Sequence, residues 1–333
     1  MNRILYPLAL LAGVVLLSGS SCQKEEPDNG NGQKQEKEAT VRTDRTSLEG
    51  KKILVCGNSM IYYGGLVQQG NQRSSDQGML YEMIKAGGEK ATVIDCTYGG
   101  HHLCDFSAAG CKYADAHGSD GKKASSGCSG IGNDLLGGIN LKDIDILVIS
   151  EAGNNYDHFY SDATTLFKRV KGVNPEARLI YVNHIYSVFK NHNNVLGNLK
   201  NLHDNLGVDI VNCGQLACDL YNGKVKVPGG SLLYKDKYTF VNHTDGDSHH
   251  PNPLMGYMMT RMVYLAMKGE VPADTQYMSL VKNCKYAGGS VTYDAYYGKY
   301  YSTSAPLPFM NVIENLAEMK GLQELYPQYI NKY

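Results

Sequence analysis

The sequence predicts one three-layer α/β/α domain built on about five parallel strands. Three observations predict it. Short apolar, β-prone runs recur from Lys51 onward, stretches with helical spacing separate the later ones, and each run ends in a Gly, Asn, Ser or His cluster. Strands that are apolar throughout, rather than alternating, are covered on both faces. Strand–helix alternation then calls for a parallel sheet with right-handed crossovers.

The elements follow in order. Ile53–Cys56 is the first strand, and Gly78–Ala86 has helical spacing. Ala91–Cys96, Ile146–Ser150, Leu179–Asn183 and Val208–Cys213 read as the other four strands. Helical stretches run from Asp162 to Val173, from Asn194 to Leu206 and, most strongly, from Leu254 to Lys268. Leu103–Gly130 and Asn222–Gly246 fit no regular element, and loops of that length in a compact domain are functional or disordered. The Tyr-rich stretch 270–333 has a helical segment near Asn311–Glu324 and is expected to pack on the outside of the domain.

Arg3 precedes an apolar stretch, Ile4–Leu17, broken only by Tyr6, Pro7 and Gly13; Ser18-Gly19-Ser20-Ser21 and then Cys22 follow. The stretch is short for a membrane span and ends in small residues, so 1–21 reads as a signal peptide. A Cys at this place resembles the lipobox of bacterial lipoproteins, in which the Cys is acylated and becomes the new N-terminus. The polar, acidic segment 22–45 reads as a flexible tether to a domain spanning 46–333. The expected location is the outer membrane or cell surface of a Gram-negative bacterium, with the lipid as the sole membrane contact.

The formal net charge is −1, with no long basic run, which argues against nucleic acid as a partner. Eight cysteines follow Cys22. Cys56 and Cys96 lie in strand runs and read as buried small hydrophobes. One or two disulfides are expected among the loop cysteines, Cys104, Cys111, Cys128, Cys213 and Cys218.

In an open parallel sheet, ligands bind beyond the carboxyl ends of the strands. There stand Gly57-Asn58-Ser59, Gly99-Gly100-His101-His102, Glu151-Ala152-Gly153-Asn154-Asn155, Asn183-His184 and, before the last long helix, Asp247-Ser248-His249-His250-Pro251-Asn252. These residue types suit acyl transfer. A Ser hydroxyl needs a His to take its proton, the His needs a carboxylate, and the oxyanion needs donors already aimed at it. Ser59 is the candidate nucleophile, His250 the base and Asp247 its orienting acid. The Ser59 and Gly100 amides and the Asn155 side chain are the candidate oxyanion donors.

The four blocks resemble those of the SGNH (GDSL-like) hydrolases in order and spacing across about Lys52–Lys268. Gly57-Asn58-Ser59 resembles a branch in which Asn replaces the usual Asp of Gly-Asp-Ser. Gly99-Gly100 looks like the turn with the oxyanion glycine, Gly153-Asn154-Asn155 matches Gly-x-Asn, and Asp247 to Asn252 matches Asp-x-x-His-Pro-Asn. The resemblance implies a flavodoxin-like fold and a serine esterase that needs no cofactor or metal. The implied substrate is an acyl or acetyl ester, with an acylated glycan as one candidate.

Alternatives stand beside each residue. Ser59 could be a helix N-cap. His249 competes with His250, Asp245 with Asp247, Gly99 with Gly100, and Asn154 with Asn155. Asn58, His102, His249 and Tyr156 are candidate substrate contacts, while His102 and His184 also read as structural or pocket-lining. Glu151 could satisfy a buried N–H or tune local charge. The set His243, Asp245, Asp247, His249 and His250 could instead hold a metal. A non-catalytic glycan-binding lipoprotein on the same fold is the rival from another class, kept open by Asn58 and Tyr156. Mass spectrometry of the mature protein is expected to find a lipid-modified Cys22 at its N-terminus; an uncleaved or unmodified N-terminus would remove the anchor.

Overall fold

The computed structural model describes residues 46–67, 76, 78–99, 101–106, 135–151, 159–184, 195–234, 239–241, 250–270 and 315–333. Five parallel strands, β1 (Lys52–Gly57), β2 (Thr92–Thr97), β3 (Ile146–Ile149), β4 (Arg178–Val182) and β5 (Asp209–Val211), form one sheet in the order β2-β1-β3-β4-β5. The chain moves outward from β1 to β2, then returns to β3 and moves the other way. The strand order therefore reverses between β1 and β3, which opens a crevice at the carboxyl ends of those two strands.

The strands are apolar throughout because both faces are covered. Ile53, Val55, Val93, Ile146, Val148, Ile180, Val182 and Val211 point to one face. Leu54, Cys56, Cys96, Leu147, Ile149, Leu179, Tyr181 and Ile210 point to the other. Neighbours along a strand thus serve opposite layers, as a period of two requires. The first layer holds α1 (Ser59–Tyr62), α2 (Met79–Ala86), α5 (Cys213–Tyr221), α6 (Pro253–Lys268) and α7 (Leu316–Leu325). The second holds α3 (Phe159–Val173), α4 (Val195–Leu206) and the 3₁₀ turns Leu103–Phe106 and Leu141–Asp143. Among the described residues no helix is long and apolar enough to cross a membrane; the apolar stretch 4–17 lies outside them.

Three expectations are corrected. Val208–Cys213 is a shorter strand, and a helix that the sequence reading does not foresee, α5, begins at Cys213 behind an Asn212 cap that accepts from the Gln215 N–H. Cys213 and Cys218 accordingly lie on a buried helix as thiols rather than in an oxidised loop pair. Cys104 is disulfide-bonded, and its partner is not among the described cysteines, since Cys56, Cys96, Cys213 and Cys218 are all thiols.

The third correction concerns the C-terminal stretch. Its described part, residues 315–333, does not coat the domain but joins its core. Tyr326 and Tyr329 are fully buried, and Ile330 forms an antiparallel bridge with Val211 at the β5 edge. The Tyr329 hydroxyl donates to Asp219 on α5 at 2.8 Å. Glu318 on α7, itself buried, accepts from the Ser231 amide and the Tyr234 hydroxyl, each at 2.9 Å, and so pins part of the loop expected over Asn222–Gly246. Replacing Tyr329 by Ala leaves a cavity and an unpaired Asp219 oxygen. It should cost about 3–5 kcal/mol in denaturant unfolding; a loss below about 1 kcal/mol would show that the stretch is dispensable to the core.

Candidate active site

Gly57 ends β1 with φ +154, and a Cβ there would lie 3.1 Å from the Ser150 carbonyl of the adjacent β3. Only glycine lets the chain leave the strand so close to its neighbour. Asn58 follows in extended conformation and is 2% exposed. Its Oδ1 accepts from the Met60 N–H at 3.1 Å, capping α1, and its Nδ2 donates to the His101 carbonyl at 2.9 Å. Both ends of the amide are engaged inside the protein. Asn58 therefore joins the first block to the second.

This arrangement also displaces the reading of Ser59 as a cap. Asn58 takes that role, and Ser59 becomes the first residue of α1, partly exposed, with no hydrogen bond to its hydroxyl from any described residue. A Ser relieved of structural duty at a strand end beside the reversal point is placed for chemistry.

The last block is held by Asn252 and Pro251. Asn252 is fully buried, caps α6 by accepting from the Met255 N–H at 3.0 Å, and donates to the Thr239 carbonyl at 2.8 Å. Pro251 bridges Val241. His250, just before them, lays its ring on Tyr63, with centroids 3.9 Å apart and planes 14° from parallel. Tyr63 is four residues beyond Ser59 and donates its N–H to the Ser59 carbonyl at 3.0 Å. His250 thus packs on the C-cap of the short helix that Ser59 begins. The imidazole is stacked on the phenol and not bonded to the Ser59 hydroxyl. In unliganded enzymes catalytic hydrogen bonds commonly tighten only when substrate arrives.

Two glycines permit this approach. A Cβ on Gly256 of α6 would fall 1.7 Å from the Gly64 carbonyl oxygen, and one on Gly64 would fall 2.6 Å from the Gly256 Cα. The backbone of the turn after α1 lies directly on the first turns of α6.

The second and third blocks meet through buried carboxylates. Glu151, at the end of β3 and 2% exposed, accepts from the Leu103 N–H at 2.7 Å and from His102 Nδ1 at 2.9 Å. The carboxylate can only accept, so Nδ1 carries the proton. Burial alone would lower the His102 pKa, but the Glu151 hydrogen bond and charge outweigh it and raise it. The Glu151 carbonyl accepts from His184 Nε2 at 2.9 Å, so His184, fully buried, is structural. Asp105 accepts from the His102 N–H at 3.0 Å and lies 3.2 Å from His101 Nδ1. Burial opposes its charge, yet these bonds hold its carboxyl below the usual range. A Cβ on Gly99 would lie 2.7 Å from the Tyr62 hydroxyl, so a side chain there would displace that phenol.

The structure thus brings Ser59, Asn58, His101, His102, Glu151 and His250 to the carboxyl edge of the sheet. Gly100, Asn155, Asp247, His249 and Tyr156 lie outside the described residues, as do Cys22 and every member of the suggested metal set except His250. Sequence reasoning missed Asp105, and it flagged Glu151 without its partners. The sole sequence signal for either is a carboxylate beside an apolar run or a His pair.

Asp95 was also missed. It faces the first layer beside Val55 in the sheet register and is 2% exposed. Its Oδ1 accepts from the Thr97 N–H and hydroxyl at 2.9 and 2.6 Å, while its buried Oδ2 has no partner among the described residues. Burial pushes its pKa up to about 7 against the pull of the Thr97 bonds.

No sequence-family model matches the chain, and no curated protein matches it. Among solved structures it is similar to a protein of Parabacteroides merdae described as a GDSL-like lipase, with TM-score 0.41 and 13% identity over 67% of this chain and 97% of that one. It is similar to a carbohydrate esterase family 2 enzyme with a carbohydrate-binding domain from Corynascus thermopiles, with TM-score 0.35 and 12% identity over 67% of each chain. A Bacteroides ovatus protein described as a GDSL-like lipase gives TM-score 0.31 and 14% identity over 64% of this chain and 94% of that one. These likenesses are too slight to assign an activity.

Asp95 makes stability depend on pH with a definite sign. Its folded pKa is raised, so its penalty is absent below the unfolded value of about 4, grows as pH rises, and is complete above about 7. Asp95→Asn should therefore gain on the native chain by up to about 4 kcal/mol between pH 4 and pH 8, read as the difference in melting temperature at the two pH values. An unchanged difference would show that Asp95 titrates normally.

Proposed function

We propose that the protein is a serine ester hydrolase of SGNH type, acting on an acyl or acetyl ester of a carbohydrate while tethered to the cell surface through Cys22. One observation carries the hydrolase reading. Asn58 caps α1 and so relieves Ser59 of structural duty beside the strand-order reversal, at the start of the helix whose C-cap, Tyr63, carries His250 on its ring. The carbohydrate class and the surface anchor rest on the resemblance of the four blocks and of the N-terminal segment.

In this reading Ser59 attacks the ester carbonyl as His250 takes its proton, with Asp247 orienting the imidazole and stabilising its cationic form. The tetrahedral oxyanion is received by the Ser59 and Gly100 amides and the Asn155 side chain. His250 then protonates the departing alcohol. Water, deprotonated by His250, releases the acid from Ser59.

A fluorophosphonate probe tests the reading. The native protein should be labelled and Ser59→Ala should not; equal labelling of the two, or none of either, would return the glycan-binding lipoprotein as the better account. Hydrolysis of p-nitrophenyl acetate by Ser59→Ala should fall at least about 10³-fold, as expected for loss of the nucleophile of a catalytic triad.

A further inference from the structure

Glu151 ties together the connections that follow β2 and β3 at the crevice. It is almost wholly buried and stands at the end of β3, on the near side of the strand-order reversal. Its two carboxylate oxygens are divided between two groups on a different connection. One takes the Leu103 amide and the other takes the His102 ring. Its own carbonyl takes the His184 ring from the end of β4. The segment it grips is tied on its other side to the first block, where the Asn58 amide holds the His101 carbonyl. Asp105 closes the same segment from below through the His102 amide and the His101 ring.

A chain of hydrogen bonds therefore runs across the tops of four strands: Asn58 after β1, His101 and His102 after β2, Glu151 after β3 and His184 after β4. A buried carboxylate is costly unless well partnered, and a purely structural join could be made by neutral groups. We propose that Glu151 is a positioning residue for acyl transfer: by gripping His102 and the Leu103 amide it fixes the segment that follows Gly99-Gly100 relative to Ser59. This deepens the serine-hydrolase reading and rests on it. Glu151 touches no reacting atom in this scheme. It acts through the backbone that leads out of the second block, where small displacements are expensive because oxyanion donors must already be in place when charge develops.

The groups facing His102 are Glu151 from the end of β3, Asp105 in its own 3₁₀ turn, and Asp162 on α3. Of these, Glu151 is the one whose side chain bonds the ring directly.

Glu151→Gln preserves shape and can still accept the Leu103 N–H on its oxygen, but it removes the charge and its amide N–H₂ can only donate to His102 Nδ1, which forces the ring into the other neutral tautomer. His102→Gln removes the ring and leaves the Leu103 bond intact. The experiment compares the native protein, each variant and the double variant for p-nitrophenyl acetate turnover, for rate of fluorophosphonate labelling, and for the ¹⁵N imidazole titration of His102. Glu151→Gln is expected to lower kcat and the labelling rate about 10–100-fold with KM changed less than about two-fold. His102→Gln should do the same in smaller measure, and the double variant should be no worse than Glu151→Gln alone, because the two act as one unit. In Glu151→Gln the His102 ring should titrate at lower pH than in the native protein. Native turnover and labelling retained in Glu151→Gln, or losses that multiply in the double variant, would overturn the proposal while leaving the hydrolase reading intact. If Glu151→Gln fails to fold, His102→Gln with undiminished turnover overturns it equally. A native protein that neither turns over the ester nor takes the probe would overturn the hydrolase reading, and this one with it.

Discussion

The site depends on a contact that contains no side chain. Gly64 and Gly256 meet backbone to backbone, closer than any Cβ would allow. Through this seam the turn after α1 and the start of α6 become one surface, and Tyr63 and His250 are left stacked at its rim. A methyl group on either glycine would push α6 away from the sheet, and with it the block that carries His250. Close-packed interiors offer little slack to absorb such a shift. The Asn252 cap and the Val241–Pro251 bridge then set the angle at which the chain enters α6. What looks in sequence like a functional motif is therefore half architecture: Pro251 and Asn252 hold the entry to α6, and His250 is what they present.

The same division runs through the first block. Gly57 lets the chain leave β1 against β3, Asn58 caps the helix and reaches to His101, and Ser59 is left over. Electrostatics at this edge are costly by ordinary standards. Glu151, Asp105 and Asp95 are all buried carboxyls. The first two are satisfied by histidine rings and amides, while Asp95 Oδ2 has no partner among the described residues. A buried carboxyl with an unmet oxygen lowers stability unless a site needs it, and Asp95, inside β2, is where the fold concedes stability.

Much of this was legible in the residues. Apolar runs without alternation predict strands covered on both faces, and the two core layers sort the residues of each strand by parity. The strand-end clusters predict the edge at which Asn58, His101, His102 and Glu151 are linked. Other features were not legible, for physical reasons. The first turn of α5 contains Cys213 and Gly214, which say little about helix, and its buried face is apparent only once packed on the sheet. The burial of Tyr329 and Ile330 depends on Asp219 and Val211, more than a hundred positions earlier. Glu151 bonds residues 48 and 49 positions away, so no local pattern announces its role. Pairing across such distances is a property of the assembled sheet and leaves no periodic trace.

The margins of the sheet carry a last consequence. At β2, Asp76 donates its amide to the Val93 carbonyl and accepts the Val93 amide on its side chain. At β5, Asn331 donates to the Ile210 carbonyl and accepts the Ile210 amide, and the Asn212 amide bonds the Tyr329 carbonyl. Both outermost strands thus spend backbone groups on neighbouring chain that is not itself strand. An uncovered margin would offer a template to the matching strand of another copy, and such templating leads to fibrous aggregates. By occupying these positions with single residues, the fold blocks sheet growth at both ends without enlarging the sheet.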